Sequence, residues 1–503
     1  MTRGSWTLKE TVAALPEYRL VSEPSVDIVL RNIVTDSRDA SDESLFFALP
    51  GTKADGATFV SDAAQRGAMA IVTLREAPDI GVPQIVVPDV RNALARIAKQ
   101  WYGAPDDDLL MIGVTGTNGK TTTVGMIRTV AESGGYVAGS IGTLGVMLGS
   151  ESIPQTASRP TTPEAHELRQ MLNTLRDRGA KLVAMETTSH ALSLDRVWGM
   201  RFDVAVYTNL TRDHLDFHGT FDDYFAAKSR LFRELGGSAT AVINIDDEYG
   251  KQLIAMTNAR VLTYGMSPNA DIHPIEMRDT PRIDGCVRTP IGDVTTSMAL
   301  VGGFNVENML ATVGACVAIG MTPDRISDGL RLVKPLPGRF EPVSIGQDFT
   351  VIVDYAHTPD ALENVLSEAR RMTNGRVLCA VGCGGDRDRA KRPIMGEIAT
   401  RLADYTVFTS DNPRTEDPES IIDEIVAGAN GGHPFERIES RRAALRRVIG
   451  MAHPGDVVMI PGKGHEPYQE ICGVKHPYDD RIEARKALEE RYGAQRIESG
   501  DMR

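Results

Sequence analysis

Between Met111 and Ile127 the chain reads MIGVTGTNGKTTTVGMI. An apolar, β-prone run meets a glycine-bearing turn, and a helix-forming stretch follows at once. A strand joined this tightly to a helix opens a strand–helix–strand crossover, and such crossovers build parallel sheets. The turn also carries chemistry. Gly116 and Gly119 let backbone amides face an anion, and the helix that follows brings its positive end to the same point. Lys120 then reaches β and γ phosphates, and the Thr121 hydroxyl can ligate Mg²⁺. The common phosphate-loop spacing is Gly, four residues, Gly-Lys-Ser/Thr. Here Val114 stands where that pattern has its first glycine, so the turn is tighter. Taken alone, GTNGKTTT also reads as a strand-to-helix turn that merely needs glycines. The apolar strand, the glycines and the helix together favour nucleotide binding.

The rest of the 503 residues repeats this alternation in blocks. Residues 1–105 hold short strands such as SLFFAL and MAIVTL and close on the helix NALARIAKQWY. Residues 106–335 add the strands KLVAME, DVAVYTN and TAVINID between amphipathic helices. Residues 336–503 contain FTVIVDY, VLCAVGC, DYTVFTSD and DVVMIPG, each ending in a polar or glycine-bearing cluster. The fold class expected is α/β in three domains. The central one is a parallel P-loop-type sheet with flanking helices, and the C-terminal one is Rossmann-like. Open parallel sheets bind ligands at the carboxyl ends of their strands, which directs attention to those clusters.

Composition narrows the class. With 42% hydrophobic and 24% charged residues the chain is that of a soluble globular protein. A net charge of −13 argues against non-specific nucleic-acid binding. It does not disfavour small phosphate-bearing ligands, which need only backbone amides and a few local cations. No long apolar run and no signal-peptide core at MTRGSWTLKE are found, so no membrane insertion is expected. The five cysteines show no metal spacing, and Cys379 and Cys383 fit a strand followed by glycine. A reducing cytoplasm is the expected compartment.

Two further clusters carry chemistry. Glu186 ends the strand KLVAME, and Asp213, His214, Asp216 and His218 follow the next strand. Singly, each is equally a solvated loop residue. A glutamate and a histidine at neighbouring strand ends, beside a phosphate loop, favour metal coordination. In the helix that follows, Phe221, Tyr224, Phe225, Lys228, Leu231 and Phe232 share one face. Lys228 alone among them is charged. Its stem could pack while its head escapes to water; the alternative is a lysine held near metal-binding acids.

The motifs GVTGTNGKTTT, METTSHAL, TNLTRDHLDFHG, DYFAAKSRLF, GGFNVENMLA, LPGRFE, VDYAHTPDALE, GCGGDRDRAKRP, TSDNPRTEDP and PGKGHE together resemble the Mur ligases, ATP-dependent amino-acid-adding enzymes of peptidoglycan synthesis. The resemblance covers nearly the whole chain, and the tight loop is that family's form of the phosphate loop. It implies a UDP-sugar-binding domain (1–105), an ATP-binding domain (106–335) and an amino-acid-binding domain (336–503). It implies ATP, two Mg²⁺ ions and a CO₂-derived carbamate on Lys228, which turns a cation into a carboxylate-like ligand. Lys120, Glu186, His214 and Lys228 are then the catalytic set, and Thr121, Glu186, His214 and carbamylated Lys228 the metal ligands. Gly116, Thr117, Asn118, Gly119, Lys120, Thr121, Thr122, Asn305, Arg339 and Asp354 bind ATP. Ser37, Thr161, Thr162, Thr188 and Arg196 face the UDP-sugar peptide. The family often has Glu-Val-Ser-Ser-His where this chain has ETTSH, and glutamine where it has Leu194. Arg387, Asp411, Asn412, Pro413, Arg414, Gly462 and Glu466 form the amino-acid pocket.

The last three motifs imply addition of the third peptide residue to UDP-N-acetylmuramoyl-L-alanyl-D-glutamate. DNPR implies meso-diaminopimelate, with L-lysine the alternative, since a distal carboxylate suits a fixed arginine fork. A monomer is expected. A folylpolyglutamate synthetase shares the loop but should lack DNPR, and a slow nucleotide switch would leave RDHLDFHG and Lys228 unexplained.

Overall fold

The computed structural model describes residues 4–22, 24, 27–51, 55–154, 160–280 and 282–498. Three large, mostly parallel sheets follow one another along the chain. The first has five strands, in the order Arg19–Val21, Gln84–Val86, Ala68–Thr73, Ser44–Phe47, Asn32–Val34. Only the Arg19–Val21 edge is antiparallel. The helix Val90–Tyr102 packs on it through Val90, Leu94, Ile97 and Trp101. Asp89 caps that helix by accepting the amides of Arg91 and Asn92.

The second sheet has eight strands, and Leu110–Thr115 lies inside it. Its parallel partners are Leu182–Glu186 on one side and Val204–Tyr207 on the other. From Leu110–Thr115 the chain builds one side of the sheet, returns to Leu182–Glu186, and then crosses to Val204–Tyr207. A crevice therefore opens at the carboxyl end of Leu110–Thr115, where strand order reverses. In register, Glu186 pairs with Val114 and Tyr207 with Thr115, so both clusters seen in the sequence flank the phosphate loop. The helices on either face bury Val124, Ile127 and Val130 on one side and Leu168, Leu172 and Leu175 on the other.

The third sheet has six strands, with Val457–Pro461 inserted between Thr350–Asp354 and Val377–Val381. That insertion makes a second reversal, ringed by Asp354, Gly382, Asp411 and Gly462. Periodicity did not reveal the antiparallel strands Gly145–Leu148 and Glu151–Ile153 that extend the second sheet. It also did not reveal the separate antiparallel sheet spanning His273–Met298, or the hairpin Tyr468–Ile471 with Val474–Pro477. These strands are short, half-exposed and bounded by ordinary polar turns. Their apolar alternation is too brief to read.

The second and third bodies meet through named contacts. Arg371 pairs with Asp279 at 2.6 Å and Arg212 with Asp388 at 3.3 Å. Asn118, on the phosphate loop, donates to Asp360 at 2.6 Å. Among the described residues no helix is long and apolar enough to cross a membrane. All five cysteines are free, and Cys383 packs its sulfur 3.6 Å from that of Met395.

Candidate active site

The turn after Leu110–Thr115 is built on backbone that only glycine adopts readily. Gly116 has φ +150° and a Cβ there would lie 1.9 Å from the Thr208 hydroxyl. Gly119 has φ +85° and a Cβ there would meet the Asn308 side chain at 2.2 Å. Gly119 is the cap of the helix Lys120–Ser133 and has no side chain to satisfy its first amides. Amides left open at a helix N-terminus can hold an anion. The loop is pinned from behind: Thr117 N–H donates to Asn209 O, Asn118 N–H to Asn209 Oδ1, and the Thr208 hydroxyl to Asn118 O.

A cavity of about 510 Å³ opens in front of this loop. It gathers Thr117 to Thr122, Thr161, Glu186, Thr188, His214, Asn305, Arg339 and Asp354 from the residues the sequence singled out. The Thr121 hydroxyl donates to Glu186 at 3.0 Å and accepts from Arg339 at 3.0 Å. Arg339 also stacks on the Tyr355 ring, 4.5 Å from its centroid, so the link joins the third body to the loop. Asn305 donates to Val301 O and accepts from Asn308. Both oxygens of Asp354 accept backbone amides, from Phe340 and Ala356, so this carboxylate shapes the strand end.

Lys120 folds back, donating to the carbonyls of Gly116 and Thr117 at 3.0 and 2.7 Å. Desolvation holds it below the usual lysine range, against the pull of Glu186. Lys228 is buried as its apolar stripe predicts, on the helix Phe221–Arg233 beside Tyr224, Phe225, Leu231 and Phe232. Its ammonium donates to the same Gly116 carbonyl at 2.7 Å and sits 4.5 Å over the Tyr224 ring. Burial, then the nearby Lys120, lowers its pKa well below that of a free lysine. It lies behind the loop and is not among the residues that line the cavity.

His214 adopts φ +54° and its Nε2 lies 3.2 Å from Asp213. Its ring packs edge-on to His190 at 4.7 Å, and His190 packs in turn on Phe217 and His218. Desolvation pushes His190 and His218 each down to about 4. His214 is lowered too, by desolvation and then by His190, Lys228 and Lys120. The ring is neutral near pH 7 and free to be a ligand. The donors for a cation are thus the Glu186 carboxylate, the hydroxyls of Thr121 and Thr143 that touch it, and the His214 imidazole on the same cavity. Among the described residues no three His, Cys, Asp or Glu side chains converge on one point. A sparse, oxygen-rich set suits Mg²⁺, which keeps waters and substrate phosphates in its shell.

The threonines expected at the UDP substrate do come together. Thr162 donates to Glu186 O at 2.8 Å and touches Thr188 at 3.1 Å, while Thr161 lies 3.3 Å from Thr143. Arg196 donates to Thr162 O and pairs with Glu164, which also holds Arg91 of the first body. Ser37 sits on the first body beside Asp62, and no hydrogen bond joins it to that cluster among the described residues.

The third-body residues form a second cluster. A Cβ on Gly384 would touch Arg414 at 3.0 Å and Arg387 at 4.0 Å, and one on Gly385 would strike the Pro413 carbonyl. A Cβ on Gly462 would meet Asp411 at 2.7 Å. Asn412 donates to Glu466 at 2.8 Å. Sequence reasoning passed over what supports this cluster. Fully buried Lys463 donates to Asn412 and to Glu466 at 2.9 and 3.0 Å. Arg392 ties Glu416 to the Gly384 carbonyl. Arg441 bonds the carbonyls of Ser410 and Pro461 at the two strand ends. Lys463 stands inside PGKGHE and Arg392 inside GCGGDRDRAKRP, so those signals were available; Arg441 opens a helix of ordinary pattern. His465 packs on Tyr355 at 5.3 Å, and Tyr355 lines the cavity, so contacts run from one cluster to the other.

Comparison with known proteins gives the family. The models for the Mur ligase family catalytic domain, the Mur ligase middle domain and the Mur ligase glutamate ligase domain match residues 29–102, 114–316 and 338–464. A protein of Geobacillus thermodenitrificans named UDP-N-acetylmuramoyl-L-alanyl-D-glutamate--2,6-diaminopimelate ligase is 45% identical over 96% of this chain and 99% of its own. One of the same name from Geobacter metallireducens is 42% identical over 93% of this chain and 95% of its own. A solved structure of that ligase superposes with TM-score 0.65 at 33% identity, covering 98% of this chain and 100% of that one. A Mycobacterium tuberculosis folylpolyglutamate synthase structure shares the fold at 16% identity and TM-score 0.60, over 74% of this chain and 92% of that one. The chain belongs to the Mur ligase family.

Proposed function

We propose that this enzyme joins meso-diaminopimelate to the D-glutamyl carboxylate of UDP-N-acetylmuramoyl-L-alanyl-D-glutamate at the expense of ATP. The observation that carries the reading is the single cavity in which an uncapped helix N-terminus, Lys120, Glu186 and His214 face Arg339 of the third body. The relatives named above supply the substrate class.

In the first step a carboxylate oxygen of the D-glutamyl residue attacks the γ-phosphorus, and ADP leaves. In the second, the amine of the amino acid attacks the acyl phosphate carbon, loses a proton, and phosphate leaves. The loop amides and Lys120 hold the phosphates, so Lys120 must swing off the Gly116 and Thr117 carbonyls it now bonds. Asn305 meets the adenine, and Arg339 bridges loop and third body. Glu186, Thr121 and His214 would hold Mg²⁺, which when bound offsets the charge on the transferring phosphoryl group. The Thr161, Thr162, Thr188 and Arg196 group, with Ser37, receives the UDP-sugar peptide. The division of labour follows residues 1–105, 106–335 and 336–503. Ion pairs across the second and third bodies support a closed arrangement that keeps an acyl phosphate from water.

Carbamylation of Lys228 belongs to the same proposal. Two ammonium groups share the Gly116 carbonyl, an arrangement that repels itself. Burial disfavours the Lys228 ammonium; its neutral amine is the form that adds CO₂, releasing a proton, and the resulting carbamate would attract Lys120 instead of repelling it.

The test is phosphate release from ATP. It is expected only when the UDP-sugar dipeptide and meso-diaminopimelate are both present. Release that needs neither substrate would refute a ligase, and equal use of L-lysine would refute the diaminopimelate assignment alone.

A further inference from the structure

The first body stands on the second at one turn, Asp195 to Gly199, which its helix Val90–Tyr102 grips along its length. Asn92 donates from Nδ2 to Asp195 Oδ2 at 3.2 Å. The Arg96 guanidinium stacks 4.3 Å from the Trp198 ring centroid, and Lys99 donates to the Gly199 carbonyl at 3.0 Å. Arg96 also steadies Asn92, donating to its Oδ1 at 2.6 Å. The turn contains Arg196 and follows the short helix that Thr188 caps, and both residues belong to the group read as facing the UDP substrate.

The same turn rests on the helix that carries Lys228. Arg230, two residues beyond Lys228, donates from Nη2 to Asp195 Oδ1 at 2.9 Å and from Nη1 to the Leu192 carbonyl. Asp195 therefore gives one carboxylate oxygen to each body. It does so in a left-handed backbone state, φ +53°, that a residue with a Cβ adopts uncommonly. The Arg230 pair is partly buried, so salt screens it less than an exposed pair. Two residues of an α-helix are only about 3 Å apart along its axis. A shift of Arg230 therefore reaches Lys228 nearly undiminished, and Lys228 bonds the Gly116 carbonyl of the phosphate loop at 2.7 Å. The reaction described above uses no atom of Asp195.

We propose that Asp195 is a positioning residue that couples the seat of the first body to the placement of Lys228. A UDP-sugar dipeptide held between the first body and the Thr162 group presses the helix Val90–Tyr102 onto the turn. Asp195 passes that constraint to Arg230, and the helix Phe221–Arg233 stiffens around Lys228. The phosphate loop is then fully supported only once its acceptor substrate has arrived, which disfavours phosphoryl transfer to water. This rests on reading the threonine and Arg196 group as the UDP-substrate site.

The test is hydrogen–deuterium exchange on the full-length enzyme, with and without saturating UDP-sugar dipeptide. Asp195→Gly removes the carboxylate and suits the left-handed backbone, so the fold is kept. In the parent, the substrate should slow exchange of amides in Phe221–Arg233. In D195G the substrate should still bind, measured by calorimetry, but the slowing should be lost. The kcat should fall about tenfold, the scale of one hydrogen bond to a charged group, while the KM for the amino acid holds. Asn92→Ala cuts the same link from the first body and should lose the slowing too, and the double variant should be no worse than D195G. A merely structural role would speed exchange equally with and without substrate. That result, slowing that persists in D195G, or substrate that binds the parent without slowing its helix overturns the proposal. If the dipeptide does not bind the parent at all, the substrate reading fails and the proposal with it.

Discussion

Arg441 and Asp480 form an ion pair with no exposed side-chain surface on either partner. Asp480 accepts from Arg441 Nε and Nη2 at 2.9 and 2.7 Å and from the Tyr478 hydroxyl at 3.0 Å. The same guanidinium satisfies Pro461 O at 3.0 Å and Ser410 O at 3.5 Å. Arg441→Leu leaves a buried carboxylate with one hydroxyl for company and strips both carbonyls of their donor. Breaking one side of a buried pair costs about 3–5 kcal/mol. That is a large part of the roughly 5–15 kcal/mol by which a domain is stable. Removing both charges with apolar residues of similar volume is about neutral, so Asp480→Leu on top of Arg441→Leu should recover most of the loss. Urea unfolding of the two single variants and the double variant measures this as a coupling energy. There is a functional reading too: Ser410 and Pro461 immediately precede Asp411 and Gly462, so Arg441→Leu should raise the amino-acid KM more than the ATP KM. A loss under about 1 kcal/mol in Arg441→Leu, beyond the range that burial of an unpaired carboxylate allows, or no recovery in the double variant, would refute the argument.

Other outcomes follow from the same geometry. Lys228→Ala should lose nearly all activity, with partial rescue by added short carboxylic acids that supply the missing carboxylate; full activity in the variant would sink the carbamate. Lys120→Ala should abolish acyl-phosphate formation yet leave binding of the UDP-sugar dipeptide, measured by calorimetry, largely intact; equal loss of both would show that phosphate and UDP roles are not separate. Glu416 is held at about 2, against an ordinary 4.5, chiefly by its hydrogen bonds to Arg392. A depressed carboxylate stabilises the fold above its unfolded pKa. That contribution, trimmed by solvent around a partly exposed pair, should drain away as pH falls from 4.5 to about 2. Glu416→Gln should flatten that part of the pH–stability curve, and an unchanged slope would contradict the assignment.

The sequence by itself determined the local pieces. Leu110–Thr115, Leu182–Glu186, Val204–Tyr207 and the third-body strands are apolar runs ending in polar clusters, and each is a strand in the fold. Gly116 and Gly119 were legible because a left-handed turn before a helix restricts residue type. Lys228 was legible because helical spacing put it in an apolar stripe. These signals depend on neighbours within a few positions. Tertiary structure alone decided which strand lies beside which, and hence that Glu186 and His214 flank one loop. It alone set Arg339 on Thr121, 218 positions apart, and Lys463 on Asn412, 51 apart. It also moved expectations: Lys228 lies behind the loop on the Gly116 carbonyl, Asp354 spends both oxygens on backbone amides, and Ser37 stands apart from the threonine cluster. Glu470, in an ordinary polar hairpin, had no local signature at all. It faces Arg414 only because the fold brings the hairpin beside that turn, 56 positions away along the chain, which no local pattern can report.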